Sequence, residues 1–77
     1  MSKIQVLGPG CPKCQVLYER TTQAAREIGL ECEIEKVSDL QAIVSFGILS
    51  TPALVVDGTV KVNGRIPTVP QLKEILS

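Results

Sequence analysis

Aromatic side chains are almost absent from this sequence of 77 residues, and tryptophan is missing altogether. Tyr18 and Phe46 are its only aromatic residues, so it offers no stacking platform for single-stranded nucleic acid. Lysine and arginine balance aspartate and glutamate at 8 each, which leaves no net charge to attract a phosphate backbone. A nucleic-acid-binding function is therefore disfavoured.

Long hydrophobic runs and a secretion signal are missing too. No apolar run approaches the length of a bilayer span, and Met1-Ser2-Lys3 leads straight into a strand pattern. The three cysteines are an odd number, which argues against the disulfide framework of a secreted domain. We expect a cytoplasmic monomer that binds neither membranes nor nucleic acid.

Apolar residues make up 44% of the chain, enough for one small domain over residues 1–77. Their periodicity predicts the order β-α-β-α-β-β-α, with strands over 3–7, 30–37, 53–56 and 59–62 and helices over 11–28, 38–47 and 68–76. The first βαβ unit makes its strands parallel, and Asp57-Gly58 predicts a hairpin between the last two. The expected fold is α/β, a four-stranded mixed sheet with helices on its faces.

The second and third helices carry start signals. Ser38 and Gln41 have the spacing of a capping box, and so do Thr68 and Gln71. Helical spacing puts Leu40, Ile43, Val44 and Phe46 on the buried side of the second helix. In the first helix the same spacing predicts an apolar stripe of Cys14, Leu17, Thr21, Ala24, Ala25 and Ile28.

The candidate reactive residues lie in Cys11-Pro12-Lys13-Cys14, between the predicted first strand and the first helix. The unpaired N–H groups and the dipole at a helix N-terminus stabilise a thiolate, which favours Cys11 as the nucleophile. Lys13 adds a nearby positive charge. Cys14 lies on the apolar stripe and is suited to resolving a mixed disulfide. A dithiol at this spacing also suits a soft metal such as copper.

A second candidate feature is Thr51-Pro52, directly before the buried third strand. Proline belongs at the first residue of such a strand because it cannot donate to the ladder. A cis bond would turn the Thr51 backbone towards the cysteines, where an extended substrate could pair with it. A trans bond is the commoner state of any X-Pro pair.

Together these features resemble the thioredoxin/glutaredoxin superfamily over residues 3–76, and especially its minimal redox-active disulfide proteins from archaea and bacteria. The resemblance implies a thioredoxin-like fold and a thiol–disulfide oxidoreductase that needs no bound cofactor or metal. It implies that Cys11 attacks, that Cys14 resolves, and that Pro52 is cis and faces the dithiol. The partners would be a disulfide-containing protein substrate and a reductase or low-molecular-weight thiol.

The sequence departs from that pattern at three points. Gly10 stands where typical thioredoxins have tryptophan, and no carboxylate precedes Glu19, although the family buries an acid in the preceding strand. Thr51-Pro52 fits the glutathione-binding segment of glutaredoxins, whereas Gly64-Arg65 matches their glycine turn only in part. Gly64 and Lys13 remain candidate substrate contacts.

The competing function is a copper-type metal chaperone that uses the same two cysteines. Such proteins follow the order β-α-β-β-α-β and usually carry a methionine shortly before the first cysteine, and this sequence does neither. Cys32, on the second strand, is expected to be a small core residue. The sequence thus favours disulfide exchange over metal binding.

Overall fold

The chain folds in the order β-α-β-α-β-β-α, as the sequence predicts. A computed structural model describes residues 2–8, 12–48 and 50–77. The elements are β1 (Ser2–Leu7), α1 (Pro12–Glu27), β2 (Cys32–Val37), α2 (Leu40–Ser45), β3 (Ala53–Val56), β4 (Thr59–Asn63) and α3 (Val69–Leu76). No helix in these ranges is both long enough and apolar enough to cross a bilayer.

The four strands form one mixed sheet in the order β2-β1-β3-β4. β1 runs parallel to β2 and antiparallel to β3, and β3 forms a hairpin with β4. Asp57 and Gly58 both have positive φ, as the tight turn between β3 and β4 requires. The expected parallel pair and hairpin are both confirmed.

Side chains alternate between the two faces of the sheet, and each face carries its own helices. Ile4, Val6 and Leu54 point into a cluster with α1 and α3. Leu7 and Val55 point the other way, into a smaller cluster under α2. β3 is buried on both faces because it lies inside the sheet, which explains its nearly continuous apolar sequence.

The ends of α1 and α3 follow from their sequences. Pro12 opens α1, where its missing N–H costs nothing. Gly29 ends it with a positive φ, while the Leu30 N–H donates to the Ala25 carbonyl. The capping box of Thr68 and Gln71 at α3 is confirmed, with both of its hydrogen bonds present.

An ion pair joins these two helices, with Lys73 Nζ 2.5 Å from Glu27 Oε1. Hydrogen bonds from Lys73 and Gln23 lower the pKa of the Glu27 carboxyl. Both members of the pair are partly exposed, so the pair adds little to the packing of α1 on α3.

Several sequence-based predictions for α2, and one for the end of α1, are wrong. Asp39, not Ser38, is the N-cap of α2, and its carboxylate accepts from the Gln41 N–H. Leu40 and Val44 are 65% and 69% exposed, which leaves Ile43 as the buried residue of α2. Ile28 is likewise at the surface rather than on the buried stripe of α1.

Candidate active site

The candidate site lies where three neighbouring strands reach the same edge of the sheet. Leu7 pairs with Ala53, and Ala53 pairs with Asn63. One step beyond that row come Gly8, Pro52 and Gly64, each from a different segment of the chain. α1 begins four residues after Gly8, so the first turn of the helix starts beside this row.

Cys14 lies in the first turns of α1 and is only 7% exposed. Its sulfur packs against the backbone of Gly8, so closely that a Cβ on Gly8 would overlap Sγ. The burial of Cys14 on the apolar stripe is confirmed, together with that of Leu17 and Thr21 on the same face.

Pro52 also lies close to Gly8, and the Thr51–Pro52 peptide bond is cis. The Pro52 Cα is 4.0 Å from the position that a Gly8 Cβ would occupy. Cys14 and Pro52 therefore both lie near the position that a side chain on Gly8 would occupy. The expected cis bond is confirmed, Pro52 is buried and Thr51 is exposed.

Gly64 is hydrogen-bonded to the segment that contains Pro52. Its N–H donates to the Pro52 carbonyl oxygen over 2.9 Å. Its φ of +77° suits glycine, and a Cβ there would come within 2.9 Å of the Ser50 Cβ. The structure thus brings Gly64 to Thr51-Pro52, although these residues are far apart in the sequence.

The candidate contact Lys13 and the Arg65 that follows Gly64 both lie at the surface. Lys13 is exposed in the first turn of α1, and Arg65 is exposed after β4. Cys11 lies outside the described residues, and in the sequence it directly precedes Pro12, the first residue of α1.

Cys32 lies on the edge strand β2, partly buried against the cluster of α1 and α3. Burial raises the pKa of its thiol, so it is a poor thiolate at neutral pH. Among residues 2–8, 12–48 and 50–77, no three or more histidine, cysteine, aspartate or glutamate side chains form a group that could hold a metal ion.

Gly8 was not among the residues that the sequence marked as functional. In the sequence it marks the end of a strand, together with Pro9 and Gly10, and a strand end explains a glycine equally well. No sequence signal distinguishes a glycine that a turn requires from one that the close approach of another residue requires. The requirement at Gly8 becomes visible only when the structure places Cys14 against it.

Comparison with known proteins places the chain. The family model described as "Thioredoxin domain" matches residues 2–77. A thioredoxin of Methanothermobacter thermautotrophicus is 39% identical over 77 residues, which is all of both chains. A thioredoxin of Methanocaldococcus jannaschii is 38% identical over 76 residues, covering 99% of this chain and 87% of the relative. This chain therefore belongs to the thioredoxin family and is a thiol–disulfide oxidoreductase.

Proposed function

We propose that the reaction runs through Cys11 and Cys14, with Cys11 as the attacking thiolate and Cys14 as the resolving thiol. The observation that carries this proposal is the placement of Cys14. It is buried at the start of α1 and packs on Gly8, next to the cis Thr51–Pro52 segment. A cysteine in that place is shielded from solvent but close to the sheet edge where a substrate would arrive.

The role of Cys11 follows from its place in the sequence. It directly precedes a helix of 16 residues, whose first N–H groups have no partner within the helix. Those donors and the helix dipole stabilise a thiolate, and the exposed Lys13 adds a positive charge in the same turn.

The disulfide exchange takes place in two steps. The Cys11 thiolate attacks one sulfur of the substrate disulfide, forming a mixed disulfide and releasing the other substrate sulfur as a thiolate. Cys14 then gives its proton to solvent water and attacks the Cys11 sulfur as a thiolate. A Cys11–Cys14 disulfide forms, and the second substrate sulfur leaves with the electron pair. A reductase or low-molecular-weight thiol then reduces the Cys11–Cys14 disulfide and is itself oxidised, which regenerates the dithiol.

For the substrate we propose a disulfide-containing protein whose extended segment pairs with the backbone of Thr51. Thr51 is exposed, whereas Pro52 is buried and its carbonyl accepts from Gly64. Gly64 therefore holds this segment in place through that hydrogen bond. Lys13 is a candidate contact for a substrate carboxylate. The order of elements differs from that of copper chaperones, so we propose no second function.

The proposal is tested with the aromatic disulfide DTNB, in a Cys32→Ser background that removes the third thiol. The parent should release two equivalents of the coloured thiolate and gain an internal disulfide. Cys14→Ser should release one equivalent and keep a mixed disulfide on Cys11, as mass spectrometry of the digested protein would show.

Cys11→Ser is the matched variant, because it keeps the buried thiol of Cys14 but loses the thiol that we propose as the nucleophile. It should react much more slowly than Cys14→Ser. A stable adduct on Cys14 in the parent, or equal rates for the two variants, would contradict the proposed order of attack.

A further inference from the structure

We propose that Gly8 is a positioning residue for the resolving step. Because glycine has no side chain, it leaves the space that the Cys14 sulfur occupies. This inference rests on the proposed function of Cys14. It adds a residue that acts through its contact with Cys14.

The requirement for glycine at this position is steric. The described glycines with positive φ are Gly29, Gly47, Gly58 and Gly64, and Gly8 is not one of them. A Cβ at Gly8 would overlap the Sγ of Cys14 and lie 3.1 Å from its Cβ. The backbone of Gly8 would thus accept any L-residue, whereas the sulfur above it would not.

The backbone of Gly8 has little freedom to move away from the sulfur. Its N–H donates to the Val37 carbonyl over 2.9 Å, which continues the ladder between β1 and β2. The preceding residue, Leu7, is fully buried and paired on both sides, with Val37 and Ala53. The buried Pro52 lies near the same Cβ position, with its Cα 4.0 Å away. An added methyl group would therefore displace the Cys14 sulfur rather than the strand.

Displacing that sulfur affects the second chemical step and not the first. In that step the Cys14 sulfur must approach the Cys11 sulfur in line with the bond that breaks, the one between Cys11 and the substrate. Reactions of this kind lose about 100-fold in rate when a reacting group is misplaced by about 1 Å. A side chain on a helix has few alternative rotamers, so Cys14 cannot restore the geometry by rotation alone.

A double-mutant cycle under reducing conditions tests the contact itself. Gly8→Ala should lower the urea midpoint of the parent, and it should lower it clearly less in a Cys14→Ala background, where the sulfur is gone. If Gly8→Ala does not fold, refolding in the Cys14→Ala background supports the same contact. Equal losses in both backgrounds, or failure to fold in both, would overturn the inference.

The release of thiolate from DTNB in the Cys32→Ser background tests the role in catalysis. Gly8→Ala should leave the first equivalent at the parent rate and slow the second by about tenfold or more. Gly29→Ala is the matched control, because its φ of +66° makes that substitution unfavourable too, but nothing lies within 4 Å of the added methyl group. It should change neither rate.

The two proposals fail separately. A Gly8→Ala variant that releases both equivalents at the parent rates would overturn the role of Gly8 and leave the dithiol mechanism intact. A parent that never releases the second equivalent would overturn the mechanism, and with it the role of Gly8 in resolution. The stability cycle would then still decide whether Gly8 seats the sulfur.

Discussion

Cys32 and Cys14 are both packed against the interior, but they lie in different parts of the fold. Cys14 is at the sheet edge that carries Gly8 and Pro52, whereas Cys32 begins the outer strand β2 and pairs with Ser2. Its neighbours on the inner side belong to the cluster of α1 and α3. Cys32 therefore has a packing role, and its substitution should leave disulfide exchange unchanged.

The raised pKa of Cys32 predicts a pH dependence of stability. Above the ordinary thiol pKa of 9.0 the unfolded chain loses this proton, while burial keeps it on the folded chain. The unfolded state then binds fewer protons, so stability falls as the pH rises through that range. Urea midpoints at pH 7 and pH 10 should show a larger loss for the parent than for Cys32→Ala.

Equal losses in the two proteins would contradict the assignment of this pH dependence to Cys32. Every other ionisable group is present in both proteins, so its contribution cancels in the difference. The comparison is therefore specific to one thiol.

At the scale of single residues, the sequence predicted the burial of Cys14 but not its contact with Gly8. The burial of Cys14 followed from helical spacing, because one stripe of α1 must face the sheet. The steric role of Gly8 could not be predicted, since it depends on how closely α1 approaches the end of β1. That distance is set by packing across the whole interface and not by any local pattern.

At the scale of elements, α2 shows where a helical pattern fails. With 6 residues, the helix has room for less than two full turns, and Ile43 alone faces the sheet. Leu40 and Val44 lie one turn apart on the exposed side, so apolar character alone was a poor guide. The start was misplaced by one residue because Ser38 and Asp39 are both good N-caps, and the Asp39 carboxylate reaches the Gln41 N–H.

Because Ile43 is buried and Val44 is exposed, alanine substitutions at these two neighbouring positions should have very different effects on stability. Ile43→Ala should destabilise the protein by about 2–5 kcal/mol, since it leaves a cavity in the buried cluster that contains Leu7 and Val55. Val44→Ala should change stability by less than about 0.5 kcal/mol, because its side chain is mostly in water. Urea denaturation of both variants would check this.

A loss of similar size for both variants would mean that Val44 is covered in solution. The comparison with Leu40→Ala, on the same exposed side, then shows whether the whole face is covered or only one residue. Among these three variants, only Ile43→Ala is expected to cost more than about 1 kcal/mol.

At the scale of the whole molecule, the order of elements could be predicted because each signal was local and strong. Asp57-Gly58 fixes the hairpin, Gly29 ends α1, and the short βαβ connection makes β1 and β2 parallel. The pairing of β1 with β3 depends on long-range contacts, so no local signal announced it. The extent of one domain over residues 1–77 stays a prediction.

Asp57 joins the hairpin to the first strand. Its carboxylate accepts from the Lys3 N–H over 2.8 Å, and its own N–H donates to the Lys3 carbonyl over the same distance. These residues are 54 positions apart, so the two bonds close the sheet between its N-terminal strand and its last hairpin. Asp57 also holds a φ of +49°, which aspartate and asparagine tolerate better than alanine.

Three substitutions at Asp57 separate these two contributions. Asp57→Ala loses the acceptor and strains the turn, and should cost about 2–3 kcal/mol. Asp57→Gly removes the acceptor but relieves the turn, and should cost about 1 kcal/mol, while Asp57→Asn keeps both properties and should cost less. Urea denaturation gives the three values, and hydrogen exchange at the Lys3 amide reports the bond directly. If Asp57→Gly matched the parent in both measurements, the link between β1 and the hairpin would contribute nothing to stability, and the turn conformation alone would explain the aspartate.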